Sequence, residues 1–392
     1  MKILIVSPRF PSPAYPMAGR IYSDQAILFS KSGYEVRIIV PIPWILPIRG
    51  LKERWDMLLK VPLKEKYQDI LTIHPRFLSI PRFQEMGGVF YRIQRSIYRN
   101  ALRKEVMSFA LGEEDVIHAH SCLLAGQALL DLKRNVSLIV SIHDSELMVV
   151  ASQNKYLRTV IIDTIRKANH VIYASKKLTE IGLNLAGRHS YSIIPWGVHN
   201  YAFKKESPSD FTVICVARFI KTKGIDILIE SFAKLIKVDP RSRLVLVGDG
   251  PEFETIRRLI SKYRIQSRVE LTGYLPNREA VKRISKSDVF ALPSFVEAMG
   301  TVYFEAMSVG VPIIGVNGEG ISQYIEHRAN GILVSPHDAE DLFSELKFLW
   351  ENPRIAKEIG EQGYKTFIKN RIDWQGNAQK HAAIYKRIST GK

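Results

Sequence analysis

Cysteine is scarce: the 392-residue chain has two, Cys122 and Cys215. They fall in different halves of the chain. A disulfide framework is therefore excluded, and a reduced, cytoplasmic setting is expected. No apolar run approaches the ~20 residues of a membrane-spanning helix. The opening Met-Lys-Ile-Leu-Ile-Val-Ser is too short for a secretory leader and reads as a first β-strand. No Cys/His cluster has zinc spacing. No Asp-x-Asp triplet marks a metal–diphosphate site. No Gly-x-Gly-x-x-Gly follows the first strand, which disfavours a dinucleotide-dependent dehydrogenase. Zinc-finger and RNA-recognition signatures are missing too, which speaks against nucleic acid as a partner. Acidic residues are outnumbered 39 to 56, leaving a formal charge of +17.

What is present is globular. Apolar residues make up 46% of a chain long enough for two domains. Strands alternate with helices in both halves, an α/β plan with parallel sheets. In the first half, strands are expected at Lys2–Ser7, Glu35–Val40, Asp115–His118, Ser137–Ile142, His170–Ala174 and Tyr191–Ile194, with a helix ending at Ser32-Gly33. The Pro-rich, basic segment 41–87 reads as irregular. A polar linker is expected within His199–Asp210. Six more strands follow, from Thr212–Val216 to Gly331–Val334, and a last helix over Ile372–Ile388.

The positive charge is uneven. Arg49–Lys104 holds 13 Lys/Arg against 5 Asp/Glu, a surplus of 8, with aromatics such as Trp55 and Phe83 interleaved. Helical spacing lays Phe90, Ile93, Ile97 and Ala101 along one stripe and Arg92, Arg95, Arg99 and Arg103 on the opposite face. Two readings stay open: attachment to an anionic membrane surface or phosphorylated acceptor, and a core-facing helix with a solvated basic face.

Two spaced motifs carry chemistry. Phe211-Thr-Val-Ile-Cys-Val-Ala-Arg218 runs a strand into an arginine, with Lys223 five residues on and Gly224 closing the turn. A planar fork and a point charge together can hold a diphosphate without a metal. About 80 residues later, Glu297 and Glu305 stand eight positions apart, either side of Gly300 and Thr301, where a helix begins. A glycine there lets a backbone approach a ligand, and the helix N-terminus suits an anion. Two carboxylates bracketing that point suit the hydroxyls on both sides of a nucleoside diphosphate sugar.

Arg-x4-Lys-Gly followed by Glu-x7-Glu resembles the retaining glycosyltransferases of family 4. The resemblance spans nearly the whole chain. It implies the GT-B fold: two Rossmann-like domains facing across a cleft, the last helix crossing back to the first domain. The expected domains are 1–200, with 372–392 packing on it, for the acceptor, and 208–371 for the nucleotide-sugar donor. It implies retaining transfer of a hexosyl-type sugar to an acceptor hydroxyl, with no cofactor and no metal. Arg218 and Lys223 are expected on the diphosphate, Glu297 on sugar hydroxyls and Glu305 on the ribose. Ala298, Met299, Gly300 and Thr301 complete that donor segment. Ala298 and Met299 replace the common Gly and Phe, which leaves the donor sugar open. Gly248, Gly273, Tyr274 and Leu275 lie where backbone groups commonly meet the base.

The first half carries the rest of the resemblance. Ala18-Gly19 stands where a Gly-Gly pair usually approaches the donor phosphates; Gly19 matches. His120, in Asp115-Val-Ile-His-Ala-His120, resembles the family histidine that reaches the sugar. His118 shares its strand face, and His143 ends the next strand on the acceptor side. Ile194-Pro-Trp-Gly-Val-His199 resembles a hinge that usually has Asn and Asp where this chain has Trp196 and His199. The acceptor is expected to be saccharide or lipid-linked, in surface polysaccharide or glycolipid synthesis at the inner face of the membrane. A nucleotide-sugar epimerase and a non-catalytic basic membrane-binding protein remain the alternatives.

Overall fold

The structure, a computed structural model, describes residues 1–12, 19–44, 58–80, 88–133, 135–143, 146–203, 205–206 and 208–389. Ala18, Trp55 and Phe83 lie outside them. The chain forms two compact units: Met1–Gly197 with Trp374–Lys392, and Val198–Asp373. Each is Rossmann-like.

The first unit is built on β1 (Lys2–Val6), β2 (Glu35–Ile39), β3 (Ile42–Trp44), β4 (Lys64–Tyr67), β5 (Ile70–Ile73), β6 (Arg76–Leu78), β7 (Val116–Ala119), β8 (Ser137–Ile142), β9 (His170–Tyr173) and β10 (Tyr191–Ile193). Eight of these make one sheet in the order β10-β9-β8-β7-β1-β2-β5-β4, parallel except for β4 against β5. Runs such as Ile3-Leu4-Ile5-Val6 are buried throughout, as a parallel sheet covered on both faces requires.

Helix α1 (Arg20–Lys31) follows β1. The C-terminal helix, Trp374–Ser389, returns to this unit and buries Ala378, Ile384 and Tyr385 in its core. Polar ties fix it there. Asn377 donates to the Pro195 carbonyl at 2.6 Å, and His118 Nδ1 lies 2.6 Å from the Tyr385 hydroxyl.

Two expectations are corrected. The segment 41–87 is not irregular where it is described: it contributes β4 and β5 to the main sheet, and β3 and β6 as a two-stranded sheet. Proline masked this, but Pro43 sits on a strand with a single neighbour, where a missing N–H is tolerated. The basic helix, α2 (Gly88–Met107), buries Tyr91, Gln94, Tyr98, Leu102 and Val106 rather than the Phe90–Ala101 stripe. Two large tyrosines and a satisfied glutamine set the inward face. Tyr98 meets Phe77 edge-on at 5.0 Å, and Gln94 accepts from Ile80 N at 2.6 Å and donates to Leu78 O at 3.1 Å. Phe90 and Ile93 are left 38% and 46% exposed, and Arg95 and Arg99 pair with Asp131.

The second unit is wholly parallel: β11 (Thr212–Val216), β12 (Arg243–Val247), β13 (Val269–Gly273), β14 (Val289–Ala291), β15 (Ile313–Val316) and β16 (Ile332–Val334), in the order β13-β12-β11-β14-β15-β16. In both sheets the strand order reverses at one place. It does so between β1 and β7 in the first unit and between β11 and β14 in the second. Loops leaving the carboxyl ends of such neighbours diverge and open a crevice, where open α/β sheets bind ligands.

Candidate functional site

In the second unit the loops leaving β11 and β14 carry both motifs. The first makes one turn at Lys221–Lys223 and ends at Gly224, with φ +63°. A Cβ on Gly224 would lie 2.2 Å from the Pro293 carbonyl oxygen, so only glycine lets the two loops touch. Phe295 N and Ser294 Oγ donate to Thr222 O at 2.9 and 3.1 Å and close the junction. Lys223 Nζ is ion-paired with Glu297 Oε2, which also accepts from Ser294 Oγ at 3.2 Å. Glu297 N donates to Glu319 at 2.6 Å. Val296, just before, holds φ +67°. For a β-branched residue that backbone is strained by about 1–3 kcal/mol, and the surrounding bonds maintain it. Arg218 is exposed, and its guanidinium makes no ion pair among the described residues.

Helix α3 (Thr301–Ser308) starts beside that ion pair. Its cap, Gly300, has φ +68°; no side chain caps it and its first turn holds no acid. The positive end of the helix has no cap of its own, and the Glu297 carboxylate lies against it, its Cδ 3.4 Å from where a Cβ on Gly300 would stand. Ala298 and Met299 are enclosed by protein, 6% and 4% exposed. On α3, Glu305 accepts a 2.6 Å bond from Asn277 Nδ2. Burial pushes its carboxyl up to about 7 despite that bond. Gly248 packs backbone to backbone under the Arg218 turn, where a Cβ would meet the Ala217 carbonyl oxygen. Gly273 has open space beside its α-carbon; Tyr274 is 62% exposed and Leu275 half-buried. Of the residues singled out by sequence spacing, the structure brings Lys223, Glu297 and Gly300 together, with Arg218 on the loop that carries Lys223 and Glu305 on α3. Sequence spacing missed Asn277 and Glu319, which carry no pattern of their own.

The first unit has its own cavity, about 600 Å³, at the β1/β7 crevice. It is lined by residues from the loop after β1 (Arg9), the start of α1 (Gly19, Arg20, Tyr22) and the ends of β7 and β8 (His120, His143). His120 Nδ1 and His143 Nε2 lie 3.1 Å apart and share a hydrogen. Trp196 stacks on both rings, 5.5 and 4.0 Å between centroids. Among the described residues, His120 Nε2 and His143 Nδ1 are buried without a partner. Burial, with neighbouring histidines adding repulsion, holds His120 well below the usual imidazole range; burial first and His381 second take His143 to about 3. Both rings are therefore neutral hydrogen-bonding groups, poorly suited to store a proton. His118 is structural: Ser141 Oγ at 2.7 Å and Tyr385 take its two nitrogens. The hinge tryptophan, Trp196, forms one wall of the histidine pair, a role its sequence position did not reveal. Glu146 accepts from Ser121 Oγ and from the N–H groups of Cys122 and Leu123, at 2.6, 2.9 and 3.1 Å.

Gly19 has φ +63°, and a Cβ there would lie 2.5 Å from the Arg9 carbonyl oxygen. Its glycine requirement thus has a packing cause within the first unit.

Residues 199–366 match the family model "Glycosyl transferases group 1". TuaC of Bacillus subtilis (strain 168), whose name assigns it to teichuronic acid biosynthesis, is 26% identical over 406 residues, covering 99% of each chain. Alpha-monoglucosyldiacylglycerol synthase of Acholeplasma laidlawii is 26% identical over 87% of this chain and 90% of its own. Among solved structures, sucrose-phosphate synthase of Thermosynechococcus elongatus superposes with a TM-score of 0.80 at 20% identity over the whole of both chains. Anabaena HepE in complex with UDP-glucose gives 0.70 at 18% identity, covering 98% and 99%. These likenesses place the chain in the GT-B fold.

Proposed function

We propose that this glycosyltransferase, with its group 1 domain over residues 199–366, moves a sugar from a nucleoside diphosphate sugar to an acceptor hydroxyl with retention and without a metal. The acceptor belongs to surface polysaccharide or glycolipid synthesis, as the names of TuaC and the diacylglycerol glucoside synthase suggest. The observation that carries the reading is the Lys223–Glu297 ion pair beside the uncapped start of α3.

The developing charge decides the roles. The leaving diphosphate gains negative charge as the glycosidic bond breaks. Arg218, Lys223 and the α3 N-terminus answer it with fixed positive charge, which costs no reorganisation at the moment of reaction. Glu297 holds sugar hydroxyls, and its pairing with Lys223 keeps both groups in place. Glu305 accepts from the ribose hydroxyls. In the first unit, neutral His120 and His143 orient hydroxyls rather than remove their protons. The proton of the acceptor then passes to a donor phosphate oxygen, as the family resemblance implies.

Among the described residues no helix is long and apolar enough to cross a membrane. We assign reversible contact with the inner membrane face to Trp44, Leu78, Phe90 and Ile93 of the first unit, which are exposed, with the exposed Arg92 nearby in sequence.

The test is a thermal-shift screen of nucleoside diphosphate sugars, followed by turnover in excess EDTA. Binding raises the melting temperature as ligand exceeds its dissociation constant. A chain stabilised by no nucleotide sugar would overturn the reading. Activity lost to the chelator and restored by magnesium or manganese would overturn its metal-free part.

A further inference from the structure

The cavity of the first unit carries more positive charge than the donor chemistry uses. Arg9 and Arg20 line it, both are exposed, and neither makes an ion pair among the described residues. Gly19 joins them: the direct backbone contact it permits with Arg9 draws the loop after β1 onto the start of α1. Ser7 fixes Arg9 from the other side, its hydroxyl donating to Arg9 O and accepting from Arg9 N. Helix α1 adds its own polarity. Its N-cap, Gly19, has no side chain to cap it, and its first turn contains no acid. Among the described lining residues the one carboxylate is Glu146, and it accepts from three donors.

Beside these cations stand groups of another kind. His120 and His143 are neutral, stacked on Trp196, and each has a buried ring nitrogen without a partner among the described residues. Tyr22 packs on His120 and stays half-buried at the cavity edge. Neutral imidazoles and an aromatic face suit hydroxyls and C–H groups; two free guanidinium groups suit a carboxylate or phosphate.

We propose that this cavity binds a negatively charged saccharide. Arg9 and Arg20 hold its carboxylate or phosphate, and His120 and His143 hold neighbouring hydroxyls. The inference rests on the reading above, in which the first unit takes the acceptor. A donor diphosphate is already answered by Arg218, Lys223 and α3 in the second unit, so the arginine pair has a different anion to meet.

The experiment titrates the intact chain with glucuronic acid, glucose 6-phosphate and methyl glucoside, read by calorimetry, and separately with UDP. At least one acidic sugar should bind about ten-fold or more tighter than the neutral one, as expected for one or two charged hydrogen bonds. Whichever acid is preferred identifies the anion. The double variant Arg9→Gln, Arg20→Gln should abolish the preference and keep UDP affinity. Equal binding of all three sugars, or binding of none, overturns the proposal. A double variant that loses UDP as strongly as acidic sugar also overturns it, because the arginines would then serve the donor. A parent chain that binds acidic sugar but no nucleotide would instead sink the donor reading.

Discussion

Lys223 and Glu297, 74 positions apart, form an ion pair that joins the loops leaving β11 and β14. Their side chains are 20% and 12% exposed, so the pair is largely shielded from water. Two groups expected on different parts of one ligand thus hold each other. A bound diphosphate has to compete with Glu297 for the ammonium.

Glu297→Gln should therefore free Lys223. UDP should bind as tightly as to the parent or several-fold tighter, while turnover falls by about ten-fold or more through loss of a charged hydrogen bond to the sugar. Lys223→Ala should weaken UDP by a similar factor. Calorimetry with UDP and initial rates with a donor separate the two effects. UDP affinity falling equally in both variants would refute the division of roles.

Glu305 makes donor binding depend on pH. Its carboxyl, pushed up to about 7 by burial, must be ionised to accept from two hydroxyls. Affinity for nucleotide should fall as pH drops below about 7, and the Glu305→Gln variant should bind weakly and without that slope. Stability moves the opposite way. The unfolded carboxyl loses its proton near 4.5, the folded one near 7, so this group costs stability progressively between those values and fully above 7. Glu305→Gln should raise the melting temperature at pH 8 and leave it unchanged at pH 4. A variant equally stabilised at both pH values would contradict the assignment.

The buried histidines should make the first unit acid-sensitive. Unfolded imidazoles protonate near 6.5, whereas burial holds His143 at about 3 and His381 at about 4. The stabilisation these neutral rings provide is complete above 6.5 and is lost as pH falls toward those values. Hydrogen exchange followed by mass spectrometry should show β1, β7 and the C-terminal helix losing protection between pH 6 and about 4, ahead of β11 and β14. Simultaneous loss in both units would argue against the histidines as the cause.

Membrane contact should depend on apolar side chains more than on the arginines nearest them. Phe90→Ser with Ile93→Ser should reduce pelleting with anionic vesicles. Arg95→Gln with Arg99→Gln should change it little, because those two already pair with Asp131. Release by salt is expected, since attraction beyond a Debye length is screened. The same pelleting with neutral vesicles at low salt would remove the electrostatic part of this reading.

Outside residues 41–87 the order of strands and helices was legible in the chain itself, and so were the two charged motifs. They depend on local period and on residue types at short spacing, which the backbone fixes within a turn or a strand. Gly224 and Gly300 were readable because a positive φ at a loop end leaves few other choices. The inward face of α2 was not readable, because Phe90 and Tyr91 are equally plausible anchors until β6 offers Phe77 and a row of backbone groups. Nor was the histidine wall. Trp196, His143 and His381 come from distant points, and only the parallel order β9-β8-β7-β1 and the returning C-terminal helix bring them around His118 and His120. Sequence determined which residues had chemistry to offer. Tertiary structure decided which of them share a crevice, and burial there decided which are charged.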